Sequence, residues 1–510
     1  MKIIIVGGGT AGWLAALMIH KMYPIHTVTV IESSAIGIVG AGEGSTGLLT
    51  DIINGKFFDY GCNILDFLKE TGATIKYGIH HRDWHTIGQS YLAPLAGSPT
   101  SGNKSLDTTF ALASNLMSDK MHLLHSCGLA MEQNSSPFNL NTFKFSEIGY
   151  ALHFDAHDVG RYFKKIVMKD QLVTHIDDQI LDVMLSEQGE ISKLKLKSGV
   201  EIEGDFFIDA SGFARVLMKK LDNPWVSYKK NLPVNSAMPF LLKYDEGEIP
   251  KPWTTAWAQS SGWMWQIPVQ KRKGCGYVFD DNFITADQAQ AEIETTLGKK
   301  IDPIRVLKFD TGRLDRAWVK NCLAVGLSSA FAEPLEATSI HSTIIQLLDL
   351  VFGYLKANKD DTCNEYSVKL YNKKTSNMYD DFKDFLNIHY MGGRTDSNFW
   401  KYINTGETQT ELTKTLVGMS KVKSPTNNNF NQYLGGVDWG LYSYVMFGNK
   451  ILSKEVLSKE LNFACEITPG LKEYVTDVLN SHINDNTKKI KDNMNYKNFI
   501  NFLRDSNATC

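Results

Sequence analysis

The stretch of sequence that decides the fold is the opening, Lys2-Ile-Ile-Ile-Val-Gly-Gly-Gly-Thr-Ala-Gly12. A run of β-branched residues is followed by glycines and then by the helix-forming stretch 13–22, an order that predicts strand, tight turn and helix. The first glycine of such a turn permits the bend, the second lets a pyrophosphate approach the backbone, and the third allows the helix to pack closely on the strand. The helix amino terminus adds partial positive charge. We therefore expect a dinucleotide to bind at Gly7, Gly9, Thr10, Ala11 and Gly12.

A second strand is predicted over Thr27 to Ile31, and it ends at Glu32, 20 residues beyond Gly12. An acidic side chain at this place can accept hydrogen bonds from a ribose diol. We expect Glu32 and the adjacent Ser33 to contact the cofactor. A glycine-rich motif alone is weak evidence, but strand, turn, helix, second strand and acid together are specific.

Two more apolar strands end in small residues far along the chain. Residues 203–208 lead into Asp209-Ala-Ser-Gly212, and residues 321–325 lead into Gly326. Such segments can return the chain to the same nucleotide-binding sheet after long excursions. One discontinuous domain wrapped around a long cofactor favours FAD over a nicotinamide dinucleotide.

The composition excludes several classes of protein. Of the 510 residues, 43% are hydrophobic and 21% charged, which is globular composition rather than disorder. A net charge of −3 argues against nucleic acid or an anionic membrane as the main partner. The seven cysteines form no CxxC pair, so we expect neither a disulfide scaffold nor a metal site. With no long apolar run and no signal-like opening, we expect a soluble, cytoplasmic protein.

The chain is expected to be an α/β protein with a discontinuous Rossmann-like core over residues 1–340. A loop-rich, cap-like insertion is predicted at about 85–150, with a helical stretch near 108–129. Residues 151–330 are predicted to alternate strands and turns. Residues 341–510 are predicted to be mainly helical, to pack on the core and to contribute to the substrate site.

A set of motifs, in order along the chain, carries a resemblance to a known family. Gly262-Trp-Met-Trp-Gln-Ile-Pro268 fits a WxWxIP pattern and is the least ambiguous of them. The others are the glycine-rich opening, Gly42-Glu43, the segment 75–78 with Trp84 beyond it, residues 150–156, residues 209–213, residues 333–340 and residues 394–400. From Met1 to about Gly448 the chain resembles the flavin-dependent halogenases of the tryptophan halogenase type.

The resemblance implies a fold of the flavin monooxygenase type and an enzyme that receives reduced FAD from a separate reductase. In this family FAD, O2 and halide yield hypohalous acid, which reaches the aromatic substrate through an internal passage. The matching residues imply Lys76 and Glu336 as catalytic residues, and backbone N–H groups of Thr338 and Ser339 as halide ligands. Further residues implied at the flavin are Glu43, Leu327 and Ile340, with Trp263, Trp265, Ile267 and Pro268 shielding the flavin from organic substrate.

Each of these residues also has a simpler interpretation. An isolated lysine is usually a solvated surface charge, although the uncharged surroundings of Lys76 would favour its neutral form. Acids beside Pro334 can merely complement a helix dipole, and we hold that interpretation for Glu333. Thr338 and Ser339 could form an ordinary helix turn, and tryptophans at a period of two are more often core. The residue after the glutamate is commonly serine in the family, but here it is Ala337.

The residues say little about the substrate. An electrophilic halogen needs an electron-rich ring, so indoles, pyrroles and phenols are all possible, and the resemblance favours a free indole. Tyr442 and Tyr444 could supply aromatic walls. The halide could be chloride, bromide or iodide. Two alternative functions remain, an FAD-dependent aromatic hydroxylase and a catalytically degenerate FAD-binding redox partner.

Overall fold

The computed structural model describes residues 1–36, 40, 42–95, 117–170, 172–426, 429–430, 437 and 439–505. The strands are β1 Lys2–Val6, β2 Thr27–Glu32, β3 Glu43–Gly44, β4 Thr74–Lys76, β5 Gly78–Arg82, β6 Ser90–Pro94, β7 Ser135–Asn139, β8 Lys144–Phe145, β9 Ala151–Phe154, β10 Val173–Asp177, β11 Ile180–Leu185, β12 Ile191–Leu196, β13 Glu201–Glu203, β14 Phe206–Asp209, β15 Trp225–Ser227, β16 Ser236–Lys243, β17 Trp253–Ala258, β18 Gly262–Pro268, β19 Arg272–Phe279, β20 Leu307–Lys308, β21 Gly312–Leu314, β22 Trp318–Val319, β23 Cys322–Ala324, β24 Ala330–Phe331 and β25 Asn493–Asn495. The α-helices are α1 Thr10–Met22, α2 Gly47–Ile53, α3 Ile64–Thr71, α4 Ser126–Glu132, α5 Ala156–Val167, α6 Ala286–Leu297, α7 Thr338–Asp349, α8 Lys359–Thr362, α9 Glu365–His389, α10 Asn398–Ile403, α11 Glu411–Met419, α12 Trp439–Gly448, α13 Lys454–Ile467, α14 Leu471–Ile490 and α15 Tyr496–Arg504.

The described chain divides into two compact units, each built from three segments. Unit 1 comprises Met1–Ala73, Phe154–Lys229 and Asp310–Asp380, and unit 2 comprises Thr74–His153, Lys230–Phe309 and Asp381–Cys510. Neither unit is a continuous stretch of sequence. The expected roles of residues 1–340 as the cofactor-binding core and of residues 341–510 as a region that contributes to the substrate site stay predictions.

Unit 1 is organised around a six-stranded sheet with the order β10-β2-β1-β14-β23-β22. The first five strands are parallel, and only β22 is antiparallel to its neighbour β23. In this sheet Ile3 pairs with Phe206, and Phe207 pairs with Cys322. The strand-to-glycine segments near residues 6, 209 and 324 therefore lie side by side, as the sequence predicted.

Helices pack on this sheet because their apolar faces match it. Helix α1 is buried almost all round, with Leu14 and Leu17 fully enclosed, which is typical of a helix with neighbours on several sides. Helix α5 was missed in the sequence, where residues 151–330 were expected to hold only strands and turns. Asp155 caps it by accepting from the His157 N–H, and its buried face includes Tyr162 and Phe163 at helical spacing.

Unit 2 contains a seven-stranded sheet with the order β20-β16-β19-β18-β17-β5-β6. Its strands are antiparallel to their neighbours, except that β17 and β5 run parallel. The WxWxIP segment forms the central strand β18, where Trp265 lies opposite Gly276 of β19. Helix α6 covers this sheet through Ala289 and Ile293, a second helix within residues 151–330 that was not expected. A capping box at Thr285 and Gln288 begins it.

Among the described residues from α7 onward, the regular elements are helices apart from the short β25, which confirms the mainly helical character expected there. The cap-like insertion is described only in part, because residues 96–116 lie outside the described residues. The predicted helix near 108–129 therefore starts outside them, and within them helix α4 reaches Glu132. No helix in the described ranges is long and apolar enough to cross a membrane.

Candidate functional site

The glycine turn between β1 and α1 has the shape that a bound pyrophosphate needs. Gly7 has φ +116°, and a methyl group there would lie 2.2 Å from the Ala210 carbonyl oxygen. A methyl group at Gly12 would lie 1.9 Å from the Gly7 carbonyl oxygen, so both positions admit only glycine. A methyl group at Gly9 would meet nothing within 4 Å. The open side of the turn is therefore at Gly9, next to the uncapped first turn of α1.

Glu32 is more heavily engaged than the sequence suggested. Its carboxylate accepts from Lys164 Nζ at 2.7 Å, lies 2.8 Å from His175 Nε2, and lies 3.4 Å from Trp13 Nε1. Lys164 and His175 are more than 130 residues away along the chain, so no local signal could have identified them. The carboxylate remains 21% exposed, which leaves it accessible to a ribose. Its role and that of the adjacent Ser33 stay predictions.

The turn after β23 brings three segments of unit 1 together. A methyl group at Gly326 would lie 3.0 Å from Ala11 Cβ of α1 and 3.4 Å from Thr343 Oγ1 of α7. Leu327 follows in a 3₁₀ turn, and Ile340 is buried in the first turn of α7. The residues expected to lie at the flavin thus occur on segments that meet beside the glycine turn.

The carboxylate of Asp209 accepts several hydrogen bonds in the same part of unit 1. Fully buried, it accepts from the Ser211 N–H and hydroxyl at 3.0 and 2.6 Å, and from the Ser328 hydroxyl at 3.0 Å. Its other oxygen accepts from the backbone N–H groups of Leu217 and Met218 at 2.9 and 3.0 Å. Five donors on one carboxylate fix the loops that follow β14 and β23.

Glu43 lies on β3 beside a second acid. Burial and the charge of Asp155 raise the pKa of Glu43 to about 7. No local feature of the sequence indicated this pairing, because the two acids are more than a hundred residues apart. The structure therefore places a carboxyl group that titrates near neutrality in unit 1.

Glu336 ends a short 3₁₀ turn, Pro334–Glu336, that precedes α7. Glu333 is fully buried. An acid that only complements a helix dipole can stay exposed to solvent, so this role does not require the burial of Glu333. Ala337 occupies the N-cap of α7 with φ +56°, a left-handed conformation rarely adopted by alanine, and supplies no side-chain acceptor. Thr338 and Ser339 then form the first turn of α7, whose N–H groups carry the positive end of the helix dipole.

Lys76 is a buried lysine of unit 2. It ends strand β4, pairs with Ala151 of β9, and is only 1% exposed. A solvated surface lysine is therefore excluded. Burial lowers the pKa of His81 and of His153 well below the ordinary value, and the charge of Lys76 contributes to both shifts. A buried lysine among neutral imidazoles is the kind of group found at functional sites.

Aromatic rings form a cluster in the same unit. Trp84 lies 6.3 Å from Trp263 and 6.2 Å from Trp400, and Trp263 lies 6.4 Å from Trp265, measured between ring centroids. Trp263 is fully buried and Trp265 is 7% exposed. Both tryptophans of the WxWxIP motif therefore belong to one aromatic cluster. Ile267 is buried at the end of the same strand.

Histidines complete this cluster, and the sequence analysis did not identify them. His81 stacks on Tyr91 at 4.6 Å and lies 5.4 Å from His389 and 6.0 Å from Trp84. His389 donates from Nδ1 to the Phe385 carbonyl oxygen at 2.8 Å, because a carbonyl only accepts, so Nδ1 carries the hydrogen. Adjacent histidines in a strand, at 80 and 81, were the only local signal available.

The tyrosines expected as substrate walls lie on α12. Tyr442 is buried against Phe385 and Phe430, with ring centroids at 5.0 and 4.7 Å. Tyr444 donates to the Met121 carbonyl oxygen at 3.3 Å. Both contacts are compatible with simple core packing, so their contact with substrate stays a prediction.

The chain is similar to known proteins over most of its length. The tryptophan halogenase family model matches residues 2–460. The tryptophan 6-halogenase ThaL of Streptomyces albogriseolus is 31% identical over an alignment of 432 residues, and the match covers 78% of this chain and 78% of ThaL. Among solved structures, Tar14, a flavin-dependent tryptophan C-6 halogenase (chlorinase) from taromycin biosynthesis, is 26% identical with a TM-score of 0.85 over 99% of both chains.

A tryptophan halogenase from Shewanella frigidimarina superposes with a TM-score of 0.88 over 99% of this chain and 98% of its own, and at 22% identity it supports the fold alone. These matches confirm the fold class and the enzyme class expected from the sequence, and they support a flavin as the cofactor. The family model covers most of the chain, and ThaL is 31% identical over more than two thirds of it. The chain therefore belongs to the tryptophan halogenase family.

Proposed function

We propose that this protein is a two-component, FAD-dependent halogenase that uses O2 and a halide to halogenate a free indole. Its relatives are named tryptophan halogenases, and solved neighbours are described as flavin-dependent. Reduced FAD comes from a separate flavin reductase. When bound, the reduced flavin and O2 supply the oxidising power that turns halide into hypohalous acid. An indole fits as substrate because electrophilic halogen requires an electron-rich ring.

Unit 1 binds the cofactor. The open side of the glycine turn at Gly9 receives the pyrophosphate, and the N–H groups at the start of α1 face it. Glu32 accepts from the ribose, and Leu327 and Ile340 contact the flavin. The residues present fit the group, since the only position of the turn where a side chain would meet no neighbour is the one that a phosphate must approach.

The start of α7 binds the halide. Ala337 offers no hydroxyl or carboxylate to cap the helix, so the N–H groups of Thr338 and Ser339 are available to an anion. The helix dipole adds partial positive charge at the same place. A halide ion matches this arrangement, because it accepts hydrogen bonds from N–H groups and needs no counter-charged side chain.

The observation that carries the proposal is the burial of Lys76 at the end of β4. Burying a lysine in protein costs free energy, and perturbed buried groups of this kind are concentrated at functional sites. Lys76 lies in the unit that contains the WxWxIP rings. Its amino group captures or orients hypohalous acid for the aromatic ring. Trp263 and Trp265 keep the organic substrate away from the flavin, so that halide rather than substrate is oxidised.

Glu336 assists the substitution on the ring. Electrophilic attack gives the ring a positive charge and a proton that must leave. A carboxylate stabilises that charge and accepts that proton. Glu336 is only partly buried at the end of its turn, unlike Glu333, so of the two acids it is the one accessible to a ligand.

The test supplies the protein with a flavin reductase, FAD, NADH and each halide in turn, together with a panel of indoles and phenols, and identifies the products by mass spectrometry. Halogenated indole is expected. Lys76→Ala is expected to lower the rate of ring halogenation by about 10² to 10⁴-fold, the usual contribution of a positioned catalytic group. FAD should still bind to this variant. Lys56→Ala removes an exposed lysine and serves as the matched control.

Two results would contradict the proposal. Hydroxylated products without any halide requirement would instead identify an aromatic hydroxylase. Unchanged ring halogenation in Lys76→Ala would remove Lys76 from its role, whatever the other variants do.

A further inference from the structure

His153 lies at the centre of a chain of hydrogen bonds in unit 2. Its imidazole is fully buried between two threonine hydroxyls, with Nδ1 at 3.3 Å from Thr74 Oγ1 and Nε2 at 2.9 Å from Thr254 Oγ1. Thr74 Oγ1 in turn donates to the Pro268 carbonyl oxygen at 2.5 Å. The four residues come from four different strands, β9, β4, β17 and β18.

The direction of each bond follows from the carbonyl at one end. A carbonyl oxygen only accepts, so the Thr74 hydroxyl hydrogen points to Pro268. Thr74 Oγ1 must then accept from His153, which places a hydrogen on Nδ1. Burial and the charge of Lys76 hold the pKa of His153 well below the ordinary value, so the ring is neutral and Nε2 accepts from Thr254.

This chain of bonds joins the two motifs that the proposed function uses. Thr74 and Lys76 are two residues apart on β4 and so lie on the same face of the strand. β4 is only three residues long, which leaves few backbone hydrogen bonds to hold it. Pro268 ends the strand that carries Trp263 and Trp265. The bond from Thr74 to Pro268 therefore ties the lysine strand to the tryptophan strand, and hydrogen bonds from His153 and with Tyr496 hold the Thr74 hydroxyl in place.

We propose that His153 is a positioning residue that fixes Lys76 relative to the tryptophan strand through the hydroxyl of Thr74. The proposal rests on the proposed role of Lys76. His153 contacts neither halide nor ring. Its loss leaves halide oxidation intact and impairs transfer of the halogen to the aromatic substrate, because the amino group is then displaced.

Two substitutions at this position separate the two hydrogen bonds. In His153→Asn the amide nitrogen takes roughly the place of Nδ1 and can still donate to Thr74. In His153→Gln the terminal amide reaches the place of Nε2 and keeps only the bond to Thr254. Thr74→Val removes the link to Pro268. Thr255→Val, on the opposite face of β17 from Thr254, is the matched control.

Two products are measured in each variant, halogenated indole and hypohalous acid trapped by a freely diffusing β-diketone, both per reduced flavin consumed. His153→Gln and Thr74→Val are expected to lower indole halogenation by about 10 to 10²-fold, the range for a displacement of about 1 Å, with trapped hypohalous acid unchanged or raised. His153→Asn and Thr255→Val are expected to stay within about threefold of the native protein, a small effect on the same scale. Equal losses in both products, or equal impairment of the Asn and Gln variants, would overturn the proposal.

A second readout uses the flavin-free protein, so that it does not depend on halogenase activity. Acylation of Lys76 by a small reagent, followed by peptide mass spectrometry, is expected to be faster in His153→Gln and Thr74→Val than in the native protein and His153→Asn. Unchanged acylation rates would also overturn the proposal. If the native protein halogenates nothing while these rates still differ, the proposed function fails and the positioning of Lys76 by His153 stands.

Discussion

Gly276→Ala offers the sharpest test of the packing around the WxWxIP motif. Gly276 lies on β19 directly opposite Trp265 of β18. A methyl group at this position would lie 2.0, 2.1 and 2.6 Å from three carbons of the Trp265 ring. Ordinary contact begins at 3.4 Å, so the ring must retreat by roughly 1.4 Å. Trp265 is only 7% exposed and has Trp263 beside it.

The cost follows from the crowding. Forcing a methyl group into a packed core costs about 1 to 3 kcal/mol, and the loss of glycine's flexibility in the unfolded chain offsets about 0.4 to 1 kcal/mol of it. A net loss of about 1 to 2 kcal/mol is expected. For compact units of this general size, each kcal/mol of lost stability lowers the thermal midpoint by about 2 to 4 °C. Because Trp265 moves, fewer halogenated molecules per reduced flavin are also expected.

The assay combines thermal unfolding, tryptophan fluorescence and the ratio of halogenated indole to reduced flavin consumed. Gly149→Ala is the control, since Gly149 is exposed, has no positive φ and would meet nothing within 4 Å. It should leave all three measurements within error of the native protein or slightly raise the midpoint. An unchanged midpoint and an unchanged product ratio in Gly276→Ala would refute the reasoning, because the ring would then have room that the geometry denies it.

Three more outcomes are expected. The pKa of Glu43 rises from 4.5 to about 7 on folding, so the folded state binds the proton more tightly. Stability should therefore fall as the pH rises from 4.5 to about 7. Glu43→Gln should flatten this dependence in unfolding curves measured from about pH 4 to 8. Asp209→Asn turns an amide NH2 toward at least one backbone donor and should cost about 2 to 3 kcal/mol, against about 1 kcal/mol for Ser328→Ala, by denaturant midpoint. Gly418→Ala on the exposed side of α11 should stabilise the protein by about 1 kcal/mol, and a loss instead would show an unseen contact there.

Four of the five parallel strands of unit 1, β1, β2, β14 and β23, could be predicted because each has a local sequence signal, whereas β10 was not predicted. A β-branched run, a glycine turn and an acid occur within the first 32 residues, and two later segments repeat the strand-to-small-residue pattern. Helices α5 and α6 could also have been predicted from local sequence, because they begin at recognisable capping residues, Asp155 and Thr285. They were missed because short apolar runs of strand and helix look alike without counting their period.

The partners of the site could not be deduced in this way. Lys164 reaches Glu32 from 132 residues away, and His153 reaches Thr74 from 79 residues away. Such contacts depend on which strands become neighbours, and no residue near Thr74 in the sequence specifies β9. The clash that reserves position 276 for glycine likewise exists only once β18 and β19 are in register.

Burial, with a contribution from the charge of Lys76, decides the protonation state of the histidines near it. Lys76 contributes to lowering the pKa of both His81 and His153, and burial contributes more to each. Imidazoles with such lowered pKa values are neutral at physiological pH, so these two rings do not change protonation state in that range. An acid limb near pH 6 in the halogenation profile would therefore belong to neither of them. Their contribution is therefore geometric, through hydrogen bonds at His153 and ring contacts at His81.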